Sequence, residues 1–293
     1  MNRQEYHIMP PFFTIVTATR NAGATLPGLL ESLAGQTRRD FELIIQDGAS
    51  TDDTLALAES YRTRLPCLSL ISEPDTGIYD AWNRALARIR GEWVLFLGAD
   101  DALASPATLQ DAAPGLAGLP EHVLYCCGDM AYSSQGMPTG KTVRADMDFH
   151  FKKLPCKMTI PHPALFHRSA LFSSNAFDAA FRIGGDYDFI AKTWQHREQG
   201  RELGMIVTVM SVDGCSHDPK NRALMLHERK KARRRVAAPL RMIPLIFLED
   251  CNDRLWDIKQ RLKLFLTGRA WGRRLWNALS TLRKTLLAGN RSS

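Results

Sequence analysis

Along its first hundred residues the chain alternates between two hydrophobic periods, and that alternation restricts the folds open to it. Phe12 to Thr19 (FFTIVTAT) is a β-branched and aromatic run. Ala24 to Ala34 then carries Leu26, Leu29, Leu30 and Leu33 at helical spacing. A second strand is expected over Phe41 to Gln46, closed by Asp47-Gly48. A helix should open at Ser50-Thr51-Asp52-Asp53, with Ser50 or Thr51 as its N-cap and acids in its first turn. Leu68 to Ser72, Gly77 to Arg90 and Trp93 to Leu97 read as strand, helix and strand, and another helix begins near Pro106. Strands separated by helices of this length imply βαβ units and a parallel sheet. WVLFL at 93–97 is apolar throughout, as a strand covered on both faces must be. The expected fold class is α/β. From His122 to Val212 the pattern is less regular: VLYCCGDM and ALFHR look like strands, and Asp186 to His196 like a helix.

Charge divides the chain. The net charge is +7 over 293 residues, but up to Asn221 there are 20 Lys+Arg against 26 Asp+Glu, and after it 18 against 5. An acidic body, 1–221, is therefore followed by a basic region, 222–293. That region contains ERKKARRR (228–235), then two stretches with leucines at helical spacing and Trp256, Trp271 and Trp276 among them. An amphipathic helix lying at an anionic membrane surface has this composition. A hairpin packed on the body or an oligomer contact is the alternative, and nucleic acid is disfavoured by the tryptophans. The first residues lack a signal-peptide core, and no apolar run approaches the ~20 residues of a spanning helix. None of the six cysteines forms a C-x-x-C pair, which removes the usual zinc spacings. Cys126-Cys127 sit in an apolar run and read as buried free thiols of a reducing compartment.

The groups that could do chemistry collect after the strands, where open α/β sheets bind ligands. Asp100-Asp101 places two like charges at the end of a buried strand. Either a divalent cation, Mg²⁺ or Mn²⁺, compensates them, or one caps the next helix and the other is solvated. Asp47-Gly48 can be a plain turn, and Thr17 and Thr19 ordinary strand residues. Glu73-Pro74-Asp75 can be a loop, and Asp80 and Asn83 an exposed helix face. Asp186, in GGDYDF, is a helix cap or a general base, with Asp188 next to it. Gly184-Gly185 would permit unusual backbone angles there. His162 and His217 are lone loop histidines without metal spacing.

The order of these stretches is more specific than any one of them. TIVTATRN, QDGASTDDT, EPDTGIYDAWNRAL, GEWVLFLGADD, PHPALFHRS, FDAAFRIGGDYDF and VDGCS together resemble glycosyltransferase family 2, over roughly Phe12 to Ser216. The EPDTGIYDAWN segment is similar to the branch that builds bacterial surface polysaccharides. The resemblance implies a GT-A fold: a Rossmann-like, mainly parallel sheet flanked by helices, here with a basic amphipathic helical tail. It implies a nucleotide-sugar donor, usually UDP-linked, with Thr17, Thr19, Asp47, Asp75 and Asp100 at the nucleotide. Asp100 and Asp101 would hold the metal and Asp186 would be the catalytic base of an inverting reaction. Arg20 and Gly98 depart from the family pattern, Gly98 standing where relatives have the first acid of D-x-D-D. The acceptor would be a glycan or a polyprenyl-diphosphate-linked glycan, which fits a peripheral protein on the cytoplasmic face of a bacterial inner membrane. A sugar nucleotidyltransferase would want a Gly- and Arg-rich loop after the first strand, and a dinucleotide oxidoreductase G-x-G-x-x-G. The chain has neither. A non-catalytic membrane protein with a degenerate transferase body would not be expected to keep acids at 47, 100, 101 and 186.

Overall fold

The computed structural model describes residues 10–134, 137–212 and 219–235. The alternating half begins with β1 (Phe13–Thr19), α1 (Leu26–Ala34), β2 (Phe41–Asp47) and α2 (Thr54–Ser60). It continues with β3 (Leu68–Ser72), α3 (Ile78–Leu86) and β4 (Trp93–Phe96). Then come β5 (Ala102–Leu103), α4 (Thr108–Leu116), β6 (Tyr125–Ser134), β7 (Met137–Val143) and α5 (Met147–Lys153). The last described elements are β8 (Leu165–Arg168), α6 (Gly185–Thr193), β9 (Gly200–Ser211) and α7 (Arg222–Arg233).

The described strands form one sheet in the order β3-β2-β1-β4-β8-β6-β9-β5, with β7 added to β6. β3, β2, β1 and β4 are mutually parallel. Beyond β4 the sheet is mixed: β8 runs antiparallel to both β4 and β6, and β9 runs parallel to β6. The unbroken run of parallel neighbours is thus β3-β2-β1-β4, whose strands are joined by helical crossovers. β6 and β7 instead form a hairpin, which only antiparallel strands can do.

Strand alternation divides the core into two layers. Trp93, Leu95 and Leu97 join Phe13, Ile15, Leu43 and Ile45 in the cluster packed by α1 and α4. Val94 and Phe96 join Val16 and Ile44 in the cluster packed by α3 and α6. This is why 93–97 contains no polar residue.

Two expected boundaries move. α2 starts at Thr54 with Asp53 as N-cap residue, because Ser50 is engaged elsewhere and the Asp52 carboxylate binds the amides of Gly23 and Thr54. The body does not stop at 221 either. α7 packs on it, burying Glu228, Ala232 and Arg233. Lys231 and Arg235 pair with Asp178, and Arg235 also with Asp188. The first part of the basic run is therefore a piece of the body. The amphipathic stretches beyond 235, with their tryptophans, lie outside the described residues. Among the described residues no helix is long and apolar enough to cross a membrane. Cys126 and Cys127 are buried free thiols, Cys156 is buried as well, and burial pushes the Cys126 thiol up to about 12.

Candidate functional site

The carboxyl ends of β1, β2 and β3 lie level. Thr19 pairs with Asp47 and Asp47 with Ser72 across the ladder. The three side chains meet at one carboxylate. Asp47 Oδ1 accepts from the Thr19 and Ser50 hydroxyls, and Oδ2 accepts from the Ser50 amide at 2.8 Å and the Ser72 hydroxyl at 2.7 Å. Burial favours the neutral acid, but these four donors win and hold the Asp47 carboxyl below its ordinary range. Asp47 is 0 % exposed, so a base read by this carboxylate must replace one of the chain's own donors. Thr17 is buried within β1, and its hydroxyl has no hydrogen-bond partner among the described residues.

Asp75 joins this edge from the loop after β3. Its Oδ1 accepts the Gly77 amide at 2.9 Å. A Cβ on Gly48 would stand 2.5 Å from its Oδ2. The Asp47-Gly48 signal is therefore one of close approach. The positive φ of this turn belongs to Ala49, at 57°.

Asp100 and Asp101 follow β4 at the same edge. Asp101 folds back so that its Oδ2 accepts the Gly98 amide at 2.7 Å. A Cβ on Gly98 would lie 2.8 Å from Asp100 Oδ1 and 3.1 Å from Asp101 Oδ2. Two carboxylate oxygens thus converge where a side chain at 98 would begin. This accounts for the missing first acid: the local turn leaves no room for it. Burial is the main cause that raises the Asp101 carboxyl to about 7; the Gly98 amide opposes it, and the Asp100 charge adds to it. Among the described residues no third His, Cys, Asp or Glu completes a metal cluster.

Asp186 lies in the first turn of α6, half-buried. Its Oδ1 accepts the Tyr187 amide at 2.8 Å and lies 3.3 Å from the Tyr79 hydroxyl. That hydroxyl has one proton, and the Ile183 carbonyl at 2.5 Å takes it, so Tyr79 grips the loop while touching the acid. Burial raises the Asp186 carboxyl to about 6 against the hydrogen bond from the Tyr187 amide. Gly184 has φ −102° and Gly185 is absent from the positive-φ glycines, which corrects the expectation of unusual backbone angles. The reason for Gly185 is steric: a Cβ there would stand 2.7 Å from the Tyr79 ring. Tyr79 is in the first turn of α3, directly after the Asp75–Gly77 loop. Arg182 reaches the same loop, its Nη1 3.7 Å from where a Gly77 Cβ would be. These contacts join the acid of α6 to the loop that leaves the strand-end edge.

Other candidates are structural. Asp188 is 1 % exposed in its side chain and paired with Lys192 and Arg235. Asn83 exchanges two hydrogen bonds with the Phe177 backbone, and Asp80 holds Thr76 and Arg84. His162 stacks on Trp82 and Phe96, and burial pushes its pKa down to about 3. His217 lies outside the described residues. Sequence reasoning missed Tyr79 and Glu228. The Glu228 carboxylate accepts the amides of Arg182, Ile183 and Gly184; its one visible signal was being the only acid in a basic helix.

The molecule is thus an α/β sheet with carboxylates at the carboxyl ends of its parallel strands, and the Asp186 carboxyl is tied to the helix after the Asp75–Gly77 loop through Tyr79. Comparison with known proteins agrees. The glycosyl transferase family 2 profile matches residues 14–172. A PGL/p-HBAD biosynthesis glycosyltransferase of Mycobacterium bovis is 37% identical over 182 residues, 61% of this chain and 68% of the relative. Staphylococcus aureus TarS 1–349 in complex with UDP-GlcNAc superposes with a TM-score of 0.61 at 21% identity, covering 82% of this chain and 72% of that one. Against the longer TarS structure this chain spans 39% of the length. The mannosyltransferase PcManGT of Pyrobaculum calidifontis, in complex with GDP-Man and Mn²⁺, also gives 0.61, at 20% identity over 94% of this chain and 81% of that one. These two structures show the fold. The chain belongs to glycosyltransferase family 2, and it is a glycosyltransferase.

Proposed function

We propose that the chain is an inverting transferase that moves a hexosyl or N-acetylhexosaminyl group from a UDP-sugar to a hydroxyl of a glycan or lipid-linked glycan, in cell-surface polysaccharide or glycolipid synthesis. The observation that carries this reading is Asp186: a half-buried carboxylate raised to about 6, touching the helix that begins at the nucleotide edge. A base with a pKa near the working pH combines a large deprotonated fraction with useful basicity. The acceptor hydroxyl attacks the sugar C1 as Asp186 takes its proton. The C1–O bond to the diphosphate breaks, and the nucleoside diphosphate leaves with the electron pair. One displacement inverts the anomeric centre.

Asp100 and Asp101 fit a divalent cation, Mn²⁺ or Mg²⁺. They offer hard oxygens, two of which converge beside Gly98, and a cation would offset the burial of the Asp101 charge, the main cause of its raised carboxyl, as well as the smaller Asp100 repulsion. When bound, the ion would neutralise charge developing on the leaving diphosphate. The Mn²⁺ and nucleotide sugars in the neighbouring structures support the same assignment.

Membrane attachment is proposed for the region beyond 235. Lys231, Arg233 and Arg235 face the body, so the lipid contact falls to the later basic and tryptophan-containing stretches. Flotation with anionic liposomes tests this: the full chain should float and a version ending at Arg235 should not. Equal behaviour of the two overturns it.

The reaction is tested by screening UDP-glucose, UDP-GlcNAc, UDP-galactose and GDP-mannose for Mn²⁺-dependent binding and turnover. Asp186→Asn should bind the donor as the unaltered protein does and lose turnover by ~10²–10⁴-fold. The unaltered protein's rate should fall below about pH 6, as protonation removes the base. Normal turnover in Asp186→Asn overturns the base assignment.

A further inference from the structure

Glu228 is the one acid between Arg222 and Arg235, yet it is 3 % exposed, turned inward among basic residues. A carboxylate buried in this way needs strong partners. Its Oε1 accepts the Arg182 amide at 2.7 Å, and its Oε2 accepts the amides of Ile183 at 2.9 Å and Gly184 at 2.8 Å. These three successive amides lead directly into α6 and Asp186. The side chain also lies against the loop, since a Cβ on Gly184 would be 3.5 Å from the Glu228 Cβ. α7 cannot shift freely, because Arg235 binds Asp178 and Asp188 and Lys231 lies 4.2 Å from the Phe181 ring centre.

We infer that Glu228 is a positioning residue for the transfer reaction: through three backbone hydrogen bonds it fixes the 182–184 loop and so sets where Asp186 stands. This rests on Asp186 as the base. Tyr79 holds the loop from α3, through the Ile183 carbonyl, and Glu228 holds it from α7, through the amides. The acid is thereby clamped from two helices distant in sequence. Such a clamp matters because a displacement of ~1 Å in a reacting group can lower the rate on the order of 100-fold. Among the described residues the groups acting on Asp186 are Tyr79 from α3, Glu228 from α7 and the Tyr187 and Asp186 amides of its own helix. The Glu228 charge also contributes to the raised Asp186 carboxyl, as the weakest of its causes.

Glu228→Gln separates these effects. Its amide oxygen can still serve Ile183 and Gly184, but its NH₂ then faces the Arg182 amide, donor to donor. The measurements are hydrogen exchange of the 182–184 amides in the full-length protein, and kcat, KM and the pH–rate profile with whichever of UDP-GlcNAc or UDP-glucose it turns over. Expected are faster exchange at 182–184, a kcat lowered roughly 10-fold by a partial displacement, an unchanged donor KM and an acid limb moved to lower pH. Loss of the Glu228 charge by itself moves that limb, so the lowered kcat at unchanged donor KM is the readout that a merely structural glutamate would not give. Glu228→Ala should lose on the order of 100-fold in kcat; if it does not fold, Glu228→Gln carries the test. Asp186→Asn is run beside them. Normal turnover there removes the base assignment and with it the positioning role that rests on it, whereas lost turnover there beside an unaltered Glu228→Gln removes the inference alone. Unchanged exchange, kcat and acid limb in Glu228→Gln overturn the inference.

Discussion

Gly185→Ala tests whether the contact between Tyr79 and the start of α6 holds the acid in place. The added methyl would lie 2.7, 2.7 and 2.8 Å from Cδ2, Cε2 and Cζ of Tyr79. Carbon atoms in contact prefer about 3.5–4.0 Å, so ring and helix must separate by roughly 1 Å. The ring has little freedom to yield. It meets Trp82 edge-on with centroids 5.3 Å apart, stacks on Phe177 at 5.8 Å, and its hydroxyl is bound to Ile183. Overpacking of a set core costs about 1–3 kcal/mol, and each kcal/mol lowers Tm by about 2–4 °C in a protein of this size. A shift of that size at the acid lowers turnover by as much as ~100-fold. Gly28→Ala is the matched control, because a Cβ in that helix meets nothing within 4 Å; it should gain ~0.5–1 kcal/mol from helix propensity. The assays are thermal unfolding and donor turnover on both variants. A Gly185→Ala protein with unaltered Tm and kcat would refute the steric argument.

Other perturbations probe the strand-end acids. The Asp101 carboxyl is raised on folding, so without a divalent cation stability should fall as pH rises from about 4 to about 7. Mn²⁺ at pH 8 should raise Tm, Asp101→Asn should lose that response, and Asp101→Ala should lose transfer; equal Mn²⁺ responses in both proteins would reject the metal assignment. Asp47 has the opposite sign, because its depressed carboxyl stabilises the fold above the unfolded pKa and that contribution disappears as pH falls through the folded value. Asp47→Ala should therefore lower Tm most at neutral pH and least in acid, and a Tm loss independent of pH would contradict the hydrogen-bond reading.

The alternating half was legible because its signals are local. In WVLFL every residue is apolar since both faces are covered, and the leucines of α1 all enter one layer. β7 was not legible: its residues are mostly exposed, so no buried face leaves a period in the sequence. Asp47, Asp100 and Asp186 could be singled out by position, but their environments could not. The donors around Asp47 come from three segments, and the raised state of Asp101 follows from burial, which spacing does not report. The composition boundary at 221 misled for a related reason. α7 is basic like the residues after it, and only tertiary packing shows that Glu228, Arg233 and Arg235 belong to the body.

The Glu228 clamp has a consequence for the order in which the protein is made. The amides of residues 182–184 have their partner 44 to 46 residues downstream. All four parallel strands and the acids at their edge have left the ribosome long before that partner exists. Synthesis proceeds from the N-terminus, and chains begin to fold as they emerge. The edge with Asp47 and Asp100 can thus form early, whereas the loop before Asp186 waits for residue 228. A nascent chain would then form its strand-end carboxylates before the loop that leads to Asp186 is held, and a product terminated early would contain Asp186 without the helix that holds this loop.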